Sequence, residues 1–573
     1  MRNFVVLSIL LGLVVGATAD AQSVPPLSLP DLAFDSAPPP ARLAEAKALA
    51  PFAMLKTAEE GAADELAALK AWNDAGNRPL RVGIVRSLPT AKRIAFDSAS
   101  EIGAAELKTD GSLTWTGSVK VAGAGRLRLQ LTDVELPPGT QLWVYSRGGK
   151  AVPFGTELMG PEATLWTPGV FGDEIVLEAL LPAGSRAATQ GFRIERVSQT
   201  VVHLEPPGAK AGECLVDATC VGPATLDVIA QLRRAVAQIL FVSGSFEFAC
   251  SGGLLNDTDD NTVIPYFLTA NHCISTQAEA STLDALWDYA TTTCNGNVPP
   301  INSLPQTVGS TLLATGESSD FTLLQLSSLP GNRVLLGWDA NPVPNNTLLH
   351  RISHPVPEDT ILPQSYTRYR LRTSGVPTCT GLARPQFIYS EFLEGGTFGG
   401  SSGAPVILAG GFVVGQLSGA CGPDPADGCN FANAEIDGAF SQTFPFVSPF
   451  LMPATAGPCE PDGDTLCLNN GRFRVEATFE TGGGLTGTAQ VVKLTDETGY
   501  LWFFNANNVE AVIKVLNACG LNNRYWVFAG GLTDVEVRIT VTDSQNGASR
   551  VYNNPQGAPF QPIQDTNAFA TCP

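Results

Sequence analysis

The chain has 573 residues, 44% hydrophobic and 16% charged, which supplies several packed cores and excludes a globally disordered polypeptide. Its 55 acidic against 35 basic residues leave a net charge of −20, a body that repels phosphate backbones and anionic lipid, so nucleic acid and membrane surfaces are not expected partners. Glycine (57) and proline (42) are abundant and long helical patterns few, which favours many short strands and turns.

In chain order, Arg2 precedes an apolar run from Phe4 to Val15, and Ala19-Asp20-Ala21 places small residues before Gln22. This is the layout of a secretory signal over residues 1–21; a membrane anchor needs about 18 or more apolar residues, and no later stretch is that long. Export, without a membrane span, is the expectation. Residues 22–210 contain no cysteine and open with Pro38-Pro39-Pro40, followed by an Ala/Glu/Lys-rich stretch from Ala41 to Ala71 that predicts helix. Arg126-Leu127-Arg128-Leu129-Gln130-Leu131 and Gln141-Leu142-Trp143-Val144-Tyr145 alternate as strands do.

The twelve cysteines all follow residue 213: Cys214, Cys220, Cys250, Cys273, Cys294, Cys379, Cys421, Cys429, Cys459, Cys467, Cys519 and Cys572. An even number in an exported chain reads as disulfides. A zinc site would want close Cys-x2-Cys pairs or clustered histidines, and the chain has only four His, so neither metal nor cofactor is expected. Asn256-Asp257-Thr258-Asp259-Asp260-Asn261 reads as a solvated hairpin tip rather than a calcium loop. Pro453 to Pro461 resembles a linker. Beyond it, Phe473, Val475, Ala477 and Phe479 alternate with polar residues, as do Val535, Val537, Ile539 and Val541, which predicts antiparallel strands with one wet face. Residues 456–573 are therefore expected to form a small β-domain, with Cys459–Cys467 and Cys519–Cys572 as its bridges.

Three motifs between them carry chemistry. Tyr266-Phe267-Leu268-Thr269-Ala270-Asn271-His272-Cys273 is an apolar strand ending in a turn that presents a histidine. Ser318-Ser319-Asp320-Phe321-Thr322-Leu323-Leu324 sets an aspartate at the mouth of a buried strand. Gly395-Gly396-Thr397-Phe398-Gly399-Gly400-Ser401-Ser402-Gly403-Ala404-Pro405 surrounds serine with glycine. A serine hydroxyl becomes a nucleophile when an imidazole takes its proton and a carboxylate holds that imidazole in the right tautomer. Glycines let backbone N–H groups, here of Gly400 and Ser402, converge on an oxyanion. Singly, each motif is also a strand end, a turn cap or a loop; the His–Asp–Ser order joins them. The opposite order, Ser first, would mark an α/β-hydrolase. A Cys250–Cys273 bridge would tie the histidine turn to the strand before it.

FACSGGLL, YFLTANHC, SDFTLLQL, GSSGAP and VVGQL resemble the chymotrypsin-like serine peptidases, in particular their bacterial lysyl endopeptidase branch, over residues 211–450. The resemblance implies a mainly β chain with a double β-barrel over residues 211–452 and the active site in the cleft between barrels. It implies His272 as general base, Asp320 as its orienting carboxylate and, from the G-x-S-G-x-P pattern, Ser402 rather than Ser401 as nucleophile. It also implies a Cys220–Cys294 bridge, Cys214 joined to Cys421 or Cys429, and Cys379 joined to the one left. Peptide substrates follow, with a monomeric enzyme. A non-catalytic binding protein on the same scaffold is the rival, although all three triad positions are filled.

The branch sets a pocket acid on a late strand, and alignment on Asp437-Gly438-Ala439-Phe440 brings Glu435 there, with Asp437 as competitor. Such an acid would pair with a Lys or Arg side chain of the substrate. Ser418 and Gly419 would supply the backbone edge that pairs with substrate. The sequence departs from the branch at Ser418, where a His is usual, which leaves Lys against Arg preference open. Lys210 lies just before Ala211-Gly212-Glu213-Cys214, so an enzyme cutting after Lys could release residues 22–210 as a propeptide acting as inhibitor or folding aid.

Overall fold

The structure is a computed structural model. It describes residues 23–29, 40–88, 93–95, 102–155, 159, 164–184, 191–201, 214–222, 226–258, 263–297, 299–355, 367–373, 382–452, 459–483, 485–545, 547–569 and 571–572. The expected signal sequence, Lys210, Cys379, Asp259 to Asn261 of the expected hairpin tip and the start of the proposed linker lie outside the described residues. The chain divides into two compact units, residues 1–256 with 265–445, and residues 257–264 with 446–573.

Two strand circuits lie between Val236 and Ala439. In the first, Phe246–Leu255 pairs with Val236–Ser243, which pairs with Asp284–Leu286 and so with Gln306–Val308. The chain runs on through Gly309 into Ser310–Gly316, which pairs with Phe321–Leu326; that strand pairs with Tyr266–Thr269, and the circuit closes on Phe246–Leu255. In the second, Phe412–Cys421, Pro405–Ile407, Leu348–Ser353, Thr367–Thr373, Phe387–Glu394 and Ala434–Ala439 pair in turn, and the last returns to Phe412–Cys421. A sheet that closes on itself leaves little free edge. This is the chymotrypsin-like double β-barrel. The first is filled by Ile239, Phe241, Leu254, Phe267, Trp287 and Leu324, all essentially inaccessible.

The residues before 201 fold against the first barrel. Strands Leu113–Val121, Gln141–Tyr145 and Glu174–Leu181 form one sheet, while Arg126–Glu135, Gly191–Thr200 and Leu80–Ser87 form another. Trp115, Leu127, Leu129, Leu177 and Ile194 pack between them. The second sheet does not stop there, because Leu80–Ser87 pairs antiparallel with Phe246–Leu255. One sheet thus runs from the amino-terminal segment into the barrel.

The stretch expected to be helical from Ala41 to Ala71 is broken. Helices Leu43–Ala46, Ala58–Gly61 and Ala63–Asp74 flank a strand, Ala53–Leu55, that pairs parallel with Leu113–Val121. Pro51 cannot continue a helix, and the Thr57 hydroxyl restarts one by accepting from the Glu60 N–H. In the second unit, Phe473–Glu480 pairs antiparallel with Glu536–Asp543, and Phe473, Val475, Ala477, Val537, Ile539 and Val541 are buried on one face.

The disulfides join Cys250–Cys273, Cys220–Cys294, Cys214–Cys429, Cys459–Cys467 and Cys519–Cys572. Cys214 thus takes Cys429; Cys421 is also disulfide-bonded. Among the described residues no helix is long and apolar enough to cross a membrane.

Candidate active site

The first barrel delivers the histidine and the aspartate. Tyr266–Thr269 ends in a turn whose Cys273 is stapled to Cys250 on the neighbouring strand. Asp320 stands just before Phe321–Leu326 at φ 51°, a left-handed conformation that Asp tolerates better than most residues. Its main-chain carbonyl accepts from Asn271 N–H, which binds the two turns together. The Asp320 carboxylate then receives three donors: His272 N–H on Oδ1 at 2.9 Å, His272 Nδ1 on Oδ2 at 2.7 Å and the Ser418 hydroxyl on Oδ2 at 2.6 Å. Burial pushes this carboxyl up, but the bond and charge of His272, with Ser418 and the His272 N–H, outweigh it and hold the pKa below the ordinary value. The acid is an anion fixed on the imidazole.

The second barrel delivers the serine. Gly400 and Gly403, at φ 94° and 80°, bracket Ser401 and Ser402. A β-carbon at Gly403 would collide with the Thr269 hydroxyl and stand 2.8 Å from Ala270 N, so the serine loop rests on the histidine strand. Ser251 N–H donates to the Ser402 carbonyl at 2.8 Å, and the Ser251 hydroxyl to the Gly400 carbonyl at 2.9 Å. Those bonds anchor the peptide that would offer Gly400 and Ser402 N–H groups to an oxyanion. His272 Nε2 has no hydrogen-bond partner among the described residues, so the serine–imidazole bond is open. Serine hydroxyls move between rotamers, and such bonds tighten when substrate arrives. The His272 nitrogen also lies close to the Cys250 and Cys273 sulfurs, within 4.8 Å, but a disulfide offers no thiolate to a metal.

Ser418 and Gly419 lie on Phe412–Cys421. Besides the Ser418 hydroxyl, this strand sends Gln416 Nε2 to the carbonyls of Ser319 and Asp320, at 2.7 and 3.2 Å. Ser418, expected only as part of a substrate edge, thus also supports the carboxylate. Gly419 faces the amino-terminal segment: a β-carbon there would strike the Arg78 guanidinium, and one at Gly399 would lie 2.9 Å from Leu80 Cδ1.

Glu435 and Asp437, two apart on Ala434–Ala439, point to the same side. Both are fully buried, and both meet Arg351 of the chain itself. Arg351 pairs with the Asp437 carboxylate, while Arg351 Nη1 lies 3.4 Å from Glu435 Oε1, at ion-pair range without a hydrogen bond. The Thr397 hydroxyl holds Glu435 Oε2 at 2.8 Å. Two acids against one guanidinium would leave an excess negative charge out of water if both ionised. Burial, with the charge of Asp437 adding to it and Arg351 opposing, pushes the Glu435 pKa up to about 8; burial also raises that of Asp437. Glu435 and Asp437, weighed as competitors, form one cluster. Arg351 carries no local sequence signal, while Thr397 and Ser251, inside the serine and FACSGGLL motifs, take their roles only from the fold.

A family model described as the lysyl endopeptidase C-terminal domain matches residues 208–429, and one described as the lysyl endopeptidase N-terminal domain matches residues 54–201. Together they take in more than half of the chain. The chain belongs to the lysyl endopeptidase family. It is a serine endopeptidase of the chymotrypsin-like class. A lysyl endopeptidase of Pseudomonas aeruginosa is 28% identical over 363 residues, which span 59% of this chain and 76% of that protein. Among solved structures, a protease from M. tuberculosis in its active form is 16% identical, covering 43% of this chain and 92% of that one at a TM-score of 0.27. A thermostable serine protease from an extremophilic microorganism is 13% identical, covering 37% and 95%, also at 0.27. Glu435 and Asp437 lie beyond the residues that the family models match.

Proposed function

We propose that the protein is an exported endopeptidase that cuts after basic residues, by an acyl-enzyme route through Ser402, His272 and Asp320. In the first half-reaction Ser402 Oγ attacks the scissile carbonyl as its proton passes to His272 Nε2. Asp320 stabilises the imidazolium, and the N–H groups of Gly400 and Ser402 take the oxyanion charge. The imidazolium then protonates the departing amine, leaving an ester on Ser402. Water, activated by His272, hydrolyses that ester by the same steps in reverse. The observation that carries this reading is the Asp320 carboxylate, saturated by His272 and Ser418, with the serine loop seated against the histidine strand.

Basic specificity is supported by two acids facing the single guanidinium of Arg351: a Lys or Arg side chain would favour the ionised form of Glu435, whose proton burial otherwise retains. Export is supported by the five bridges and the amino-terminal apolar run. Residues 22–210 are read as a propeptide released after Lys210, and the position of Arg78 and Leu80 beside Gly419 and Gly399 supports an inhibitory role. The test is labelling of secreted enzyme by a serine-directed phosphonate, with Ser402→Ala as control, followed by digestion of a peptide library scanned at P1. Labelling lost in Ser402→Ala with cleavage after Lys or Arg is expected. Labelling that persists in the variant overturns the nucleophile, and cleavage after neutral residues overturns the pocket.

A further inference from the structure

Arg126 and Arg128, on one strand of the amino-terminal segment, are fully buried, and the acids facing them belong to the protease barrel. Arg126 Nη1 donates to Glu247 Oε1 at 2.8 Å and Arg126 Nη2 to Asp284 Oδ2. Glu247 and Asp284 are themselves inaccessible. Two further donors come from the same segment: the Thr200 hydroxyl to Glu247 Oε2 at 2.5 Å and Gly169 N–H to Asp284 Oδ2 at 2.7 Å. The guanidinium of Arg126 lies so close on Gly169 that any β-carbon there would overlap it, and the ring of Phe171 stands 5.6 Å away. Arg128 alongside donates to the Thr167 carbonyl, and its guanidinium feels the charges of both acids. Two buried cations from one part thus face two buried anions from the other.

Resting on the propeptide reading above, we infer that Glu247 and Asp284 form a guanidinium socket that keeps the amino-terminal segment on the enzyme after the connecting chain is cut. Separating the parts would strip both acids of Arg126, Thr200 and Gly169 at once, and would leave two arginines of the segment without counter-charge. It would also break the pairing of Leu80–Ser87 with Phe246–Leu255. Cleavage between residues 201 and 214 touches none of these contacts.

The test uses the full chain with Ser402→Ala, to prevent self-digestion, and a recognition sequence for an unrelated protease replacing residues 203–209. After cutting, native mass spectrometry and size exclusion should find both chains together at micromolar concentration, and exchange with labelled segment should be slow. With Arg126→Met, exchange should accelerate by at least ~100-fold, because one partner of a buried charge pair is gone. If that variant does not fold, Arg126→Lys serves in its place: one ammonium cannot bridge both acids, and exchange should quicken by about tenfold or more. Parts that separate on cutting, or that exchange at an unchanged rate in the variant examined, overturn the socket. The amino terminus of the native secreted enzyme is read separately. A start near Gln22 would overturn the propeptide reading, while the engineered cut would still decide the socket.

Discussion

Replacing Asp320 with Asn tests the centre of the site with little change in shape. Three donors now converge on the carboxylate, one on Oδ1 from His272 N–H and two on Oδ2 from His272 Nδ1 and Ser418. An amide must place NH₂ on one side. Facing the backbone N–H of His272, it would set donor against donor with no remedy, at about 1–3 kcal/mol. Facing Nδ1 and Ser418 it can be satisfied, since the imidazole can move its proton to Nε2 and the hydroxyl can turn to accept. That preference amounts to about 5- to 150-fold in population. The favoured arrangement leaves Nε2 protonated and unable to take the Ser402 proton. The lost charge of Asp320, which stabilises the imidazolium, adds to that preference, and we expect kcat for a Lys amide substrate to fall by about 10⁴-fold, or about 5.5 kcal/mol, with KM nearly unchanged. The assay is steady-state hydrolysis at pH 7–8, normalised by active-site titration. Asp320 also contributes stability above the ordinary carboxylate range, lost as pH falls through its depressed folded value, so the urea midpoints of parent and variant should converge in acid. Retention of kcat within tenfold would refute the tautomer reasoning.

Glu435 sets a pH signature. With its pKa raised from 4.5 to about 8, the folded protein holds this proton too tightly, so stability drains away as pH climbs from the ordinary range towards 8. A cation in the pocket favours the ionised form, and the ratio of kcat/KM for a Lys substrate over its Met counterpart should therefore rise between about pH 6.5 and 8.5. Taking the ratio cancels the pH dependence that the two substrates share. Glu435→Gln should flatten that rise and lower the ratio by about 100-fold, and a rise that survives in the variant would exclude Glu435. Removing the bridge with Cys250→Ala and Cys273→Ala opens a loop of 23 residues and should cost about 3 kcal/mol in urea unfolding, measured in a Ser402→Ala background. A loss under about 1 kcal/mol would mean that the turn is held by other contacts.

Much of the architecture was legible because strands advertise themselves by alternation and catalytic turns by composition. Phe473 to Glu480 alternates in sequence and is buried on alternate residues in space. The YFLTANHC and GSSGAP runs announce a histidine turn and a serine loop. What stayed hidden depends on partners distant in sequence. Arg126-Leu127-Arg128-Leu129 has the pattern of a strand with a wet face, yet both arginines are dry, because Glu247 and Asp284 wait more than a hundred residues away. Arg351 is silent in sequence for the same reason: nothing around it in the chain points to Glu435 or Asp437. The helical stretch before Ala71 failed on a local signal that was present, Pro51, which composition had outvoted. Ser418 was placed on the right strand but credited only with its backbone, since the target of a hydroxyl cannot be known before the neighbouring barrel is in place.

The strand Phe412–Cys421 belongs to the serine's barrel, yet through Ser418 and Gln416 it grips the aspartate that the other barrel supplies. The edge that would receive a peptide main chain is thus also the clamp on the acid. Longer peptides, by lying along that edge, would brace the clamp and be felt as faster turnover rather than as tighter docking alone. Recognition away from the scissile bond and the poise of the proton relay would then be the business of a single ribbon of backbone.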